Sequence, residues 1–424
     1  MIVLEAKLKG TDDQYGRLDE AIRTSQFVRN SCIRYWIDNR GVGKNELSKL
    51  CAQLAKEFEW AGKLNSMARQ ASAERAWQSI SRFYANCRAK KLGKKGYPKF
   101  KKNTRSVEYK TSGWKLSDDR KSITFTDGFA AGIFRMYGTR DLNFYQISQI
   151  KRVRVVRRAD GYYAQFCVDV EREIKHEYTG SIVGIDLGLE FFYTDSDGQT
   201  VENPRHLRKS ELRLHRLQRR VSKRKKGGRN RKKAINRMAR QHLKVSRLRL
   251  DHAVKTAGAL VASHDLIAYE NLQVRNMVKN HHLAKSISDA SWAMFVNWVE
   301  YFARLHKIVA VAVPPQYTSQ DCSECGHRVQ KTLSTRTHEC SECGTSLHRD
   351  HNAARNILVK GLEVLGVEKS TGGQPGTYTP DGENHLWLVE GNFGWLSGLV
   401  EPGNSRGDSW ESPSIITTPK GVVT

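Results

Sequence analysis

Ser181-Ile182-Val183-Gly184-Ile185-Asp186 is the stretch that decides the fold class, because a short apolar run ends there on a carboxylate. Two further short apolar runs follow, 266–269 and 308–313, and the first of them ends at Glu270. The segment between those two runs carries large apolar residues at helical spacing, namely Trp292, Phe295, Val299 and Phe302. Strands that alternate with helices in this order predict a mixed α/β sheet.

A strongly basic segment, 205–250, lies between the first run and the second. It has twenty lysines and arginines and one acid, Glu211, and glycines at 227 and 228 interrupt its helical pattern. We therefore expect a helical hairpin with an apolar and a cationic side. A coiled-coil arm is the alternative, but so many cations would repel a similar partner, which favours nucleic acid. The contacts expected near the break are Arg219, Arg220, Lys223, Arg224, Lys225, Lys226, Arg229 and Arg231.

Residues 1–105 have mainly helical patterns after a short first strand. The clearest helix runs from about 65 to 88, with a predicted apolar stripe at Ala73, Trp77, Ile80, Tyr84 and Cys87. A basic stretch, 90–102, follows, and its glycines and proline exclude a regular helix. Its lysines and aromatic residues suit a nucleic-acid strand, although a solvated linker is the alternative. The expected contacts are Lys94, Lys95, Tyr97, Lys99, Lys101 and Lys102.

Residues 107–175 change to a period of two. Two alternating runs, 152–158 and 162–170, are joined by Ala159-Asp160-Gly161, which predicts a β-hairpin. We expect a small β-barrel there. Arginines lie on one face of the hairpin, and we expect them to face a phosphate backbone.

The composition limits the function classes. The 424-residue chain has a net charge of +27, which favours a polyanionic partner, although a basic surface without catalysis gives the same excess. No apolar run is long enough for a transmembrane helix and the first residues do not form a signal peptide, so we expect a cytosolic protein without membrane contact. From 367 to 424 the chain is rich in Gly, Pro, Ser and Thr, which predicts a disordered tail.

Two C-x-x-C knuckles predict a metal centre. Cys322 and Cys325 form the first, Cys340 and Cys343 the second, and a glycine follows each of them. Four thiolates at this spacing suit a structural zinc ion with no open coordination position. An iron–sulfur site or a redox pair is the alternative, and the cluster alone says little about function.

Three acids are candidates for catalysis. Asp186 and Glu270 each end a predicted strand, and Asp350 lies at the start of a predicted helix. If they converge, they suit two magnesium ions that serve phosphodiester hydrolysis. Each acid also has a simpler structural explanation. Asp186 could cap a turn, Glu270 could form an ion pair with an arginine, and Asp350 could be the N-cap of a helix. Spacing alone does not decide between these interpretations.

The chain resembles the TnpB family of transposon-encoded proteins and the compact type V CRISPR effectors. The similar segments occur in the family's order over residues 1–366. They are Gly96-Tyr97-Pro98-Lys99-Phe100-Lys101, Gly184-Ile185-Asp186-Leu187-Gly188, Tyr269-Glu270-Asn271-Leu272, Ser288-Asp289-Ala290-Ser291-Trp292, Thr318-Ser319-Gln320-Asp321-Cys322 and Arg349-Asp350-His351-Asn352-Ala353-Ala354-Arg355-Asn356-Ile357. His348 stands where the family often has an acid.

The resemblance implies a multidomain α+β protein. A helical recognition lobe, 11–105, is inserted in a β-barrel wedge domain made of 1–10 and 106–178. An RNase H-like RuvC nuclease domain covers 179–316, including the hairpin 205–262, and ends with a helix at 347–366. A zinc ribbon, 317–346, is inserted in that domain.

The resemblance also implies an activity, namely RNA-guided cleavage of target DNA beside a short adjacent motif. Asp186, Glu270 and Asp350 would be the catalytic ligands of two Mg²⁺ ions, with Mn²⁺ as a substitute in vitro, and the four cysteines would bind Zn²⁺. Guide RNA from the transposon end and double-stranded DNA are the expected partners of a monomer or dimer, in the cytoplasm or on the nucleoid. Gln70 would read the adjacent motif, since glutamine can bond adenine. A non-cleaving regulator and an accessory transposase are the alternatives.

Overall fold

The computed structural model describes residues 1–367, apart from 139, 333 and 334. The chain divides into two compact units, of which the first holds Met1–Glu171 and the second begins at Arg172. The predicted disordered tail lies outside the described residues from 368 onward. No helix in the described part of the chain is long and apolar enough to cross a membrane.

The first unit opens with a strand and four helices. They are β1 (Ile2–Lys9), α1 (Asp12–Asp38), α2 (Lys44–Glu57), α3 (Glu59–Gly62) and α4 (Ser66–Arg88). Helix α1 begins after Thr11, because the Thr11 hydroxyl accepts a hydrogen bond from the Gln14 amide and the Gln14 side chain accepts one from the Thr11 amide. Asn65 accepts the amide of Met67 at the start of α4. Both caps satisfy amides that a helix leaves unpaired.

Helix α4 confirms the helix predicted for residues 65–88, but its buried face is shorter than the predicted stripe. Ala73 and Ile80 lie in a core shared with α1 and α2, whereas Tyr84 and Cys87 are exposed. The Tyr84 hydroxyl accepts a hydrogen bond from Trp36 Nε1 at 2.8 Å, near the end of α1. The last turn of α4 therefore extends beyond the core, and the predicted stripe residues near this end, Tyr84 and Cys87, are exposed to solvent.

A seven-stranded antiparallel sheet completes the first unit, in the order β2-β6-β7-β1-β5-β4-β3. Its remaining strands are β2 (Ser106–Lys110), β3 (Trp114–Leu116), β4 (Ser122–Phe125), β5 (Ile133–Tyr137), β6 (Ile150–Arg158) and β7 (Gly161–Val168). Strands β6 and β7 confirm the predicted hairpin. Within the described residues β2 and β3 are the two outer strands and do not pair, so the predicted small β-barrel is a half-barrel in the structure. Helix α4 packs against β2.

The arginines of β6 are paired within the unit, which corrects the prediction that they face a phosphate backbone. Glu108 of β2 accepts hydrogen bonds from Arg152 at 2.7 Å, from Arg154 at 2.9 Å and from Arg75 of α4 at 3.3 Å. Burial disfavours the Glu108 carboxylate, but the charges of Arg75 and Arg154 and the hydrogen bonds from Arg152 and Arg154 outweigh it and lower its pKa to about 2. The last two arginines of β6 also bind acids of this unit.

The second unit is built on a five-stranded mixed sheet in the order β10-β9-β8-β11-β12. Its strands are β8 (Ile182–Asp186), β9 (Phe191–Asp195), β10 (Thr200–Glu202), β11 (Leu266–Glu270) and β12 (Val309–Val313). Strand β11 is parallel to β8 and β12, while β9 and β10 run antiparallel to their neighbours. This topology confirms the mixed sheet predicted from the alternating pattern.

Helices and a small ribbon complete the second unit. They are α5 (His206–Ser222), α6 (Arg229–Ser263), α7 (Val274–Met277), α8 (Ala284–Ala290), α9 (Trp292–His306), the strands β13 (Thr337–Glu339) and β14 (Ser346–His348), and α10 (Arg349–Val364). Helices α5 and α6 confirm the predicted hairpin and its break.

Helix α10 lies unusually close to the sheet. A Cβ atom on Gly184 of β8 would be 2.2 Å from the Ala354 carbonyl oxygen and 2.6 Å from the Leu358 amide nitrogen. A Cβ atom on Gly361 of α10 would be 2.6 Å from the Cβ of Ala268 in β11. Glycine at these two positions therefore lets the helix and the sheet approach each other, which fixes where the first turn of α10 lies relative to the strand ends.

Candidate active site

The three candidate acids lie at one edge of the sheet in the second unit. Asp186 and Glu270 are the last residues of β8 and β11, which are adjacent and parallel with Tyr269 opposite Ile185. Asp350 is the second residue of α10, and its Oδ2 would be 3.7 Å from a Cβ atom built on Gly188, just beyond β8. The structure thus brings together three acids that are far apart in the sequence.

Burial and neighbouring carboxylates raise the pKa of two of the acids. Burial and then the charges of Glu270 and Asp350 raise the pKa of Asp186 well above its usual range. Burial also raises the pKa of Glu270, and the Asp350 charge adds to this, against the opposing effects of a hydrogen bond from Thr318 and the charge of Lys360. A buried set of like charges is unfavourable unless cations neutralise it, so the arrangement favours a cation site.

Two of the simpler explanations do not hold. The N-cap of α10 is His348, whose Nδ1 accepts the amide of Asp350 at 3.2 Å, so Asp350 is not the cap. Glu270 accepts a hydrogen bond from the Thr318 hydroxyl at 2.5 Å, and in the described part of the chain no arginine forms an ion pair with it. Asp350 itself accepts hydrogen bonds from the neighbouring Arg349 guanidinium at 3.1 and 3.2 Å.

The donor set fits magnesium better than a softer metal. It consists of carboxylate oxygens, which Mg²⁺ prefers in proteins. Within the described residues the cysteine cluster is the one group of three or more His, Cys, Asp or Glu side chains whose ligand atoms all lie within 4.8 Å of one another. The ligand atoms of the three carboxylates are therefore not all within that distance of one another.

The four predicted cysteines form a cluster that fits zinc. Sγ of Cys322 is 3.6 Å from that of Cys343, and Sγ of Cys325 is 3.5 Å from that of Cys340. A tetrahedral ion with Zn–S bonds of about 2.3 Å would hold its sulfurs about 3.8 Å apart. The glycine after each knuckle has a positive φ, +77° at residue 326 and +70° at residue 344. These turns let the backbone fold beneath the ion.

The predicted nucleic-acid contacts near the hairpin break are mostly exposed. Seven of the eight cations are exposed, namely Arg219, Arg220, Lys223, Arg224, Lys225, Lys226 and Arg229. The eighth, Arg231, is half-buried, and its Nη1 donates to the carbonyls of Val221 at 2.6 Å and Arg224 at 3.0 Å. Arg231 therefore stabilises the end of α5, and contact with nucleic acid stays a prediction for all eight.

Asp289 fixes the base of the hairpin, a role that the sequence did not reveal. Its carboxylate accepts the Leu207 amide at 2.8 Å and Nη2 of Arg249 at 2.8 Å. Asp289 thus joins the first turn of α5 to α6, and its negative charge lies at the positive end of the α5 dipole. The only sequence signal was its place in the Ser288-Asp289-Ala290-Ser291-Trp292 segment.

The basic stretch 90–102 is irregular, as its glycines and proline predict. Lys94, Lys99, Lys101 and Lys102 are exposed, and Lys95 is half-buried with its ammonium on the Lys91 carbonyl. Tyr97 is 52% exposed, although its ring packs against Trp36 and Phe83 with centroids 5.4 and 5.3 Å away. Gln70 is half-buried on α4. Nucleic-acid contact by these residues also stays a prediction.

Comparison with known families matches two parts of the chain. Residues 165–281 match the family OrfB_IS605, described as "Probable transposase". Residues 292–357 match the domain described as "Cas12f1-like, TNB domain". The two matches cover much of the second unit, including two of the three candidate acids in the first match and the third acid with the four cysteines in the second.

Two relatives match over most of their length. A Streptomyces pristinaespiralis protein named "Putative RNA-guided DNA endonuclease" is 30% identical over 83% of this chain and 87% of its own. InsQ of Escherichia coli K12, named in the same way, is 28% identical over 80% and 87%. A solved structure of a Cas12f1–sgRNA–target DNA complex, 15% identical over 81% and 82%, has the same fold with a TM-score of 0.51. The chain belongs to the TnpB family.

Proposed function

We propose that this chain is an RNA-guided DNA endonuclease whose single RuvC-like centre consists of Asp186, Glu270 and Asp350. The observation that carries the proposal is the convergence of these three acids at one sheet edge, where Glu270 and Asp350 are buried and where burial and the charges of Glu270 and Asp350 raise the pKa of Asp186. Structural stability does not require such a set, because buried like charges destabilise a fold. Cation binding gives a reason for the arrangement, and the relatives named as RNA-guided DNA endonucleases supply the reaction class.

The three carboxylates would hold two Mg²⁺ ions, or Mn²⁺ in vitro, which when bound activate a water and stabilise the leaving oxygen of a phosphodiester. The chain's own residues hold the carboxylates in place. Asp186 and Glu270 are fixed by adjacent parallel strands, and Arg349 and the His348 cap restrain Asp350. Such restraint matters because ligands that do not need to reorganise lose little free energy when the charges of the transition state develop.

The basic surfaces are the proposed contacts for guide RNA and for target DNA opened from a duplex. The hairpin tip at 219–231 and the stretch 90–102 supply cations for the backbone, and Tyr97 supplies a ring for a base. Gln70 is proposed to read the adjacent motif. The predicted layout remains part of the proposal, with a wedge domain of 1–10 and 106–178, a recognition lobe of 11–105, a nuclease domain of 179–316 and 347–366, and a zinc ribbon of 317–346.

The test is cleavage by protein loaded with its own guide. The chain is purified with RNA transcribed from the DNA that flanks its gene, the bound RNA is sequenced, and a plasmid library with randomised bases beside the target is digested in Mg²⁺. We expect cleavage beside one short motif, and none with Asp186→Ala. Glu202→Ala is the matched control, because Glu202 also ends a strand of this sheet but is exposed. We expect that variant to cleave normally.

Three results would contradict the proposal. If no RNA is bound, or if Asp186→Ala still cuts, the guided mechanism or its site is wrong. If the complex binds its target but leaves it intact in both Mg²⁺ and Mn²⁺, the chain is a non-cleaving regulator. If DNA ends are joined as well as cut, the chain is a strand transferase that acts in transposition.

A further inference from the structure

Thr318 makes a hydrogen bond to one of the candidate catalytic acids. Its hydroxyl donates to Oε1 of Glu270 at 2.5 Å, and both residues are buried, with 4% and 9% of their surfaces exposed. The hydroxyl also lies 3.3 Å from the Pro315 carbonyl, but the shorter contact to a charged oxygen is the stronger one. Thr318 is the one side chain that donates to the Glu270 carboxylate within the described residues, which leaves Oε2 for another partner.

The backbone around Thr318 is tied to α10, the helix that carries Asp350. We call residues 316–321 the ribbon stalk, because they lead from β12 into the first cysteine knuckle. Asn356 Nδ2 donates to the Thr318 carbonyl at 2.8 Å, Asn352 Nδ2 donates to the Asp321 carbonyl at 2.8 Å, and Lys360 Nζ donates to the Gln316 carbonyl at 2.6 Å. These three side chains follow one another at intervals of four residues, so they form one stripe along the helix.

The same stripe reaches the zinc cluster. Oδ1 of Asn352, a residue with no exposed surface, accepts the amide of Ser323, which lies between Cys322 and Cys325. A continuous set of hydrogen bonds therefore runs from the first cysteine knuckle through Asn352 and the ribbon stalk to Glu270. Helix α10 holds one catalytic acid directly and, through the stalk, restrains a second.

We propose that Thr318 is a positioning residue that fixes the carboxylate of Glu270 for metal binding, and that α10 and the zinc cluster hold Thr318 in place. This inference rests on the proposed function, because it takes Glu270 as a metal ligand. A carboxylate can rotate about its last side-chain bond, and a donor on one oxygen selects the rotation that presents the other. Groups that bond a metal ligand in this way typically contribute about 10–100-fold to metal affinity or activity.

A competing explanation is that Thr318 only fills space. Thr318→Val and Thr318→Ser separate the two, because valine keeps the shape and loses the hydroxyl whereas serine keeps the hydroxyl and loses a methyl group. The primary readout is the affinity of the purified chain for Mn²⁺. It is measured from the electron paramagnetic resonance signal of the Mn²⁺ that stays free. The binding that disappears in Asp186→Ala identifies the ions at the candidate site. Equal zinc content in all variants shows that the cysteine cluster is intact.

If Thr318 positions Glu270, Thr318→Val weakens the Asp186-dependent Mn²⁺ binding by about 10–100-fold, and Thr318→Ser keeps it. In guide-loaded protein, cleavage by Thr318→Val then needs a correspondingly higher Mg²⁺ concentration, while target binding is unchanged. Normal Mn²⁺ affinity in Thr318→Val, or equal losses in the valine and serine variants, overturns the positioning role and leaves the proposed function standing. Absence of any Asp186-dependent Mn²⁺ binding in the unsubstituted chain overturns the proposed metal site and this role with it.

Discussion

The close approach of α10 to β8 leads to a prediction that can be worked out in magnitude. Gly184→Ala adds a methyl group where the nearest atoms are the Ala354 carbonyl oxygen at 2.2 Å and the Leu358 amide nitrogen at 2.6 Å. Both are backbone atoms of a helix, so no side-chain rotation can relieve the contact. The helix must move away by about 1 Å to restore ordinary separations of about 3.5 Å or slightly less.

Inserting a methyl group into a well-packed core costs about 1–3 kcal/mol, and a backbone clash belongs at the upper end. Alanine recovers about 0.5–1 kcal/mol, because glycine in a strand loses more conformational freedom on folding. We therefore expect the free energy of unfolding to fall by about 2 kcal/mol, which corresponds to about 30-fold in an equilibrium constant. Cleavage should fall as well, since Asp350 moves with the helix.

The assay is hydrogen exchange of the purified chain, read by mass spectrometry in peptides from 349–364. Amide protection there should fall by about 30-fold in Gly184→Ala. Gly258→Ala is the matched control, because a Cβ atom at this position of α6 would meet only two ring carbons of Phe302, at ordinary distances of 3.7 and 4.0 Å. Alanine inside a helix gains up to about 1 kcal/mol over glycine, so this variant should be neutral or more protected. Unchanged protection in Gly184→Ala, or an equal loss in Gly258→Ala, would refute the reasoning.

Three further predictions concern other parts of the chain. Glu108→Gln should lower the free energy of unfolding at pH 7 by about 3 kcal/mol, since the folded pKa of about 2 lies below the ordinary 4.5. Urea titrations should show that this contribution is complete above pH 4.5 and is lost as the pH falls toward 2, whereas the exposed Glu59→Gln changes little. Chelation of zinc should abolish target cleavage and leave guide RNA bound to the hairpin. Cleavage should return when Zn²⁺ is added but not when Mg²⁺ is added. Full activity of the zinc-free protein would contradict this prediction. Replacing both Lys225 and Lys226 with alanine should weaken guide RNA binding, measured by filter binding, and reduce the slope of log affinity against log salt by about 1.4. The control is Lys255→Ala, which removes an ammonium already paired with an acid of α6 and should leave the binding curves unchanged.

The sequence predicted the parts of this protein that local patterns specify. An apolar run that ends on an acid marks a strand end, so the sequence placed Asp186 and Glu270 at strand ends and allowed their convergence, but it did not establish that the two strands are parallel neighbours. Two C-x-x-C knuckles specify a metal cluster almost without reference to the rest of the chain. The hairpin break was visible because two glycines interrupt a helical period.

Long-range pairing could not be predicted. The sequence suggested that the arginines of β6 were free to contact phosphate. Their partner Glu108 lies 44 residues before Arg152, and no local sequence pattern identifies it as the partner. The sheet of the first unit is a half-barrel because its closure depends on which strands meet, and alternation specifies a strand but not its neighbours. Asn352, Asn356 and Lys360 have helical spacing, but a polar stripe on a helix usually faces solvent, so their contacts with the ribbon stalk were hidden.

Helix α10 explains why these features belong together. It carries Asp350, its polar stripe restrains the stalk that bonds Glu270, and Gly184 and Gly361 set its distance from the strands that end in Asp186 and Glu270. A change in the position of this helix would therefore move Asp350 relative to Asp186 and disturb the stalk that holds the Thr318 hydrogen bond to Glu270. Zinc can thus influence cleavage without taking part in chemistry, because the ion organises the knuckle whose Ser323 amide bonds α10. Hydrogen bonds thus connect the metal cluster to the acids, and a variant that loosens α10 should affect cleavage before it affects guide binding by the hairpin tip.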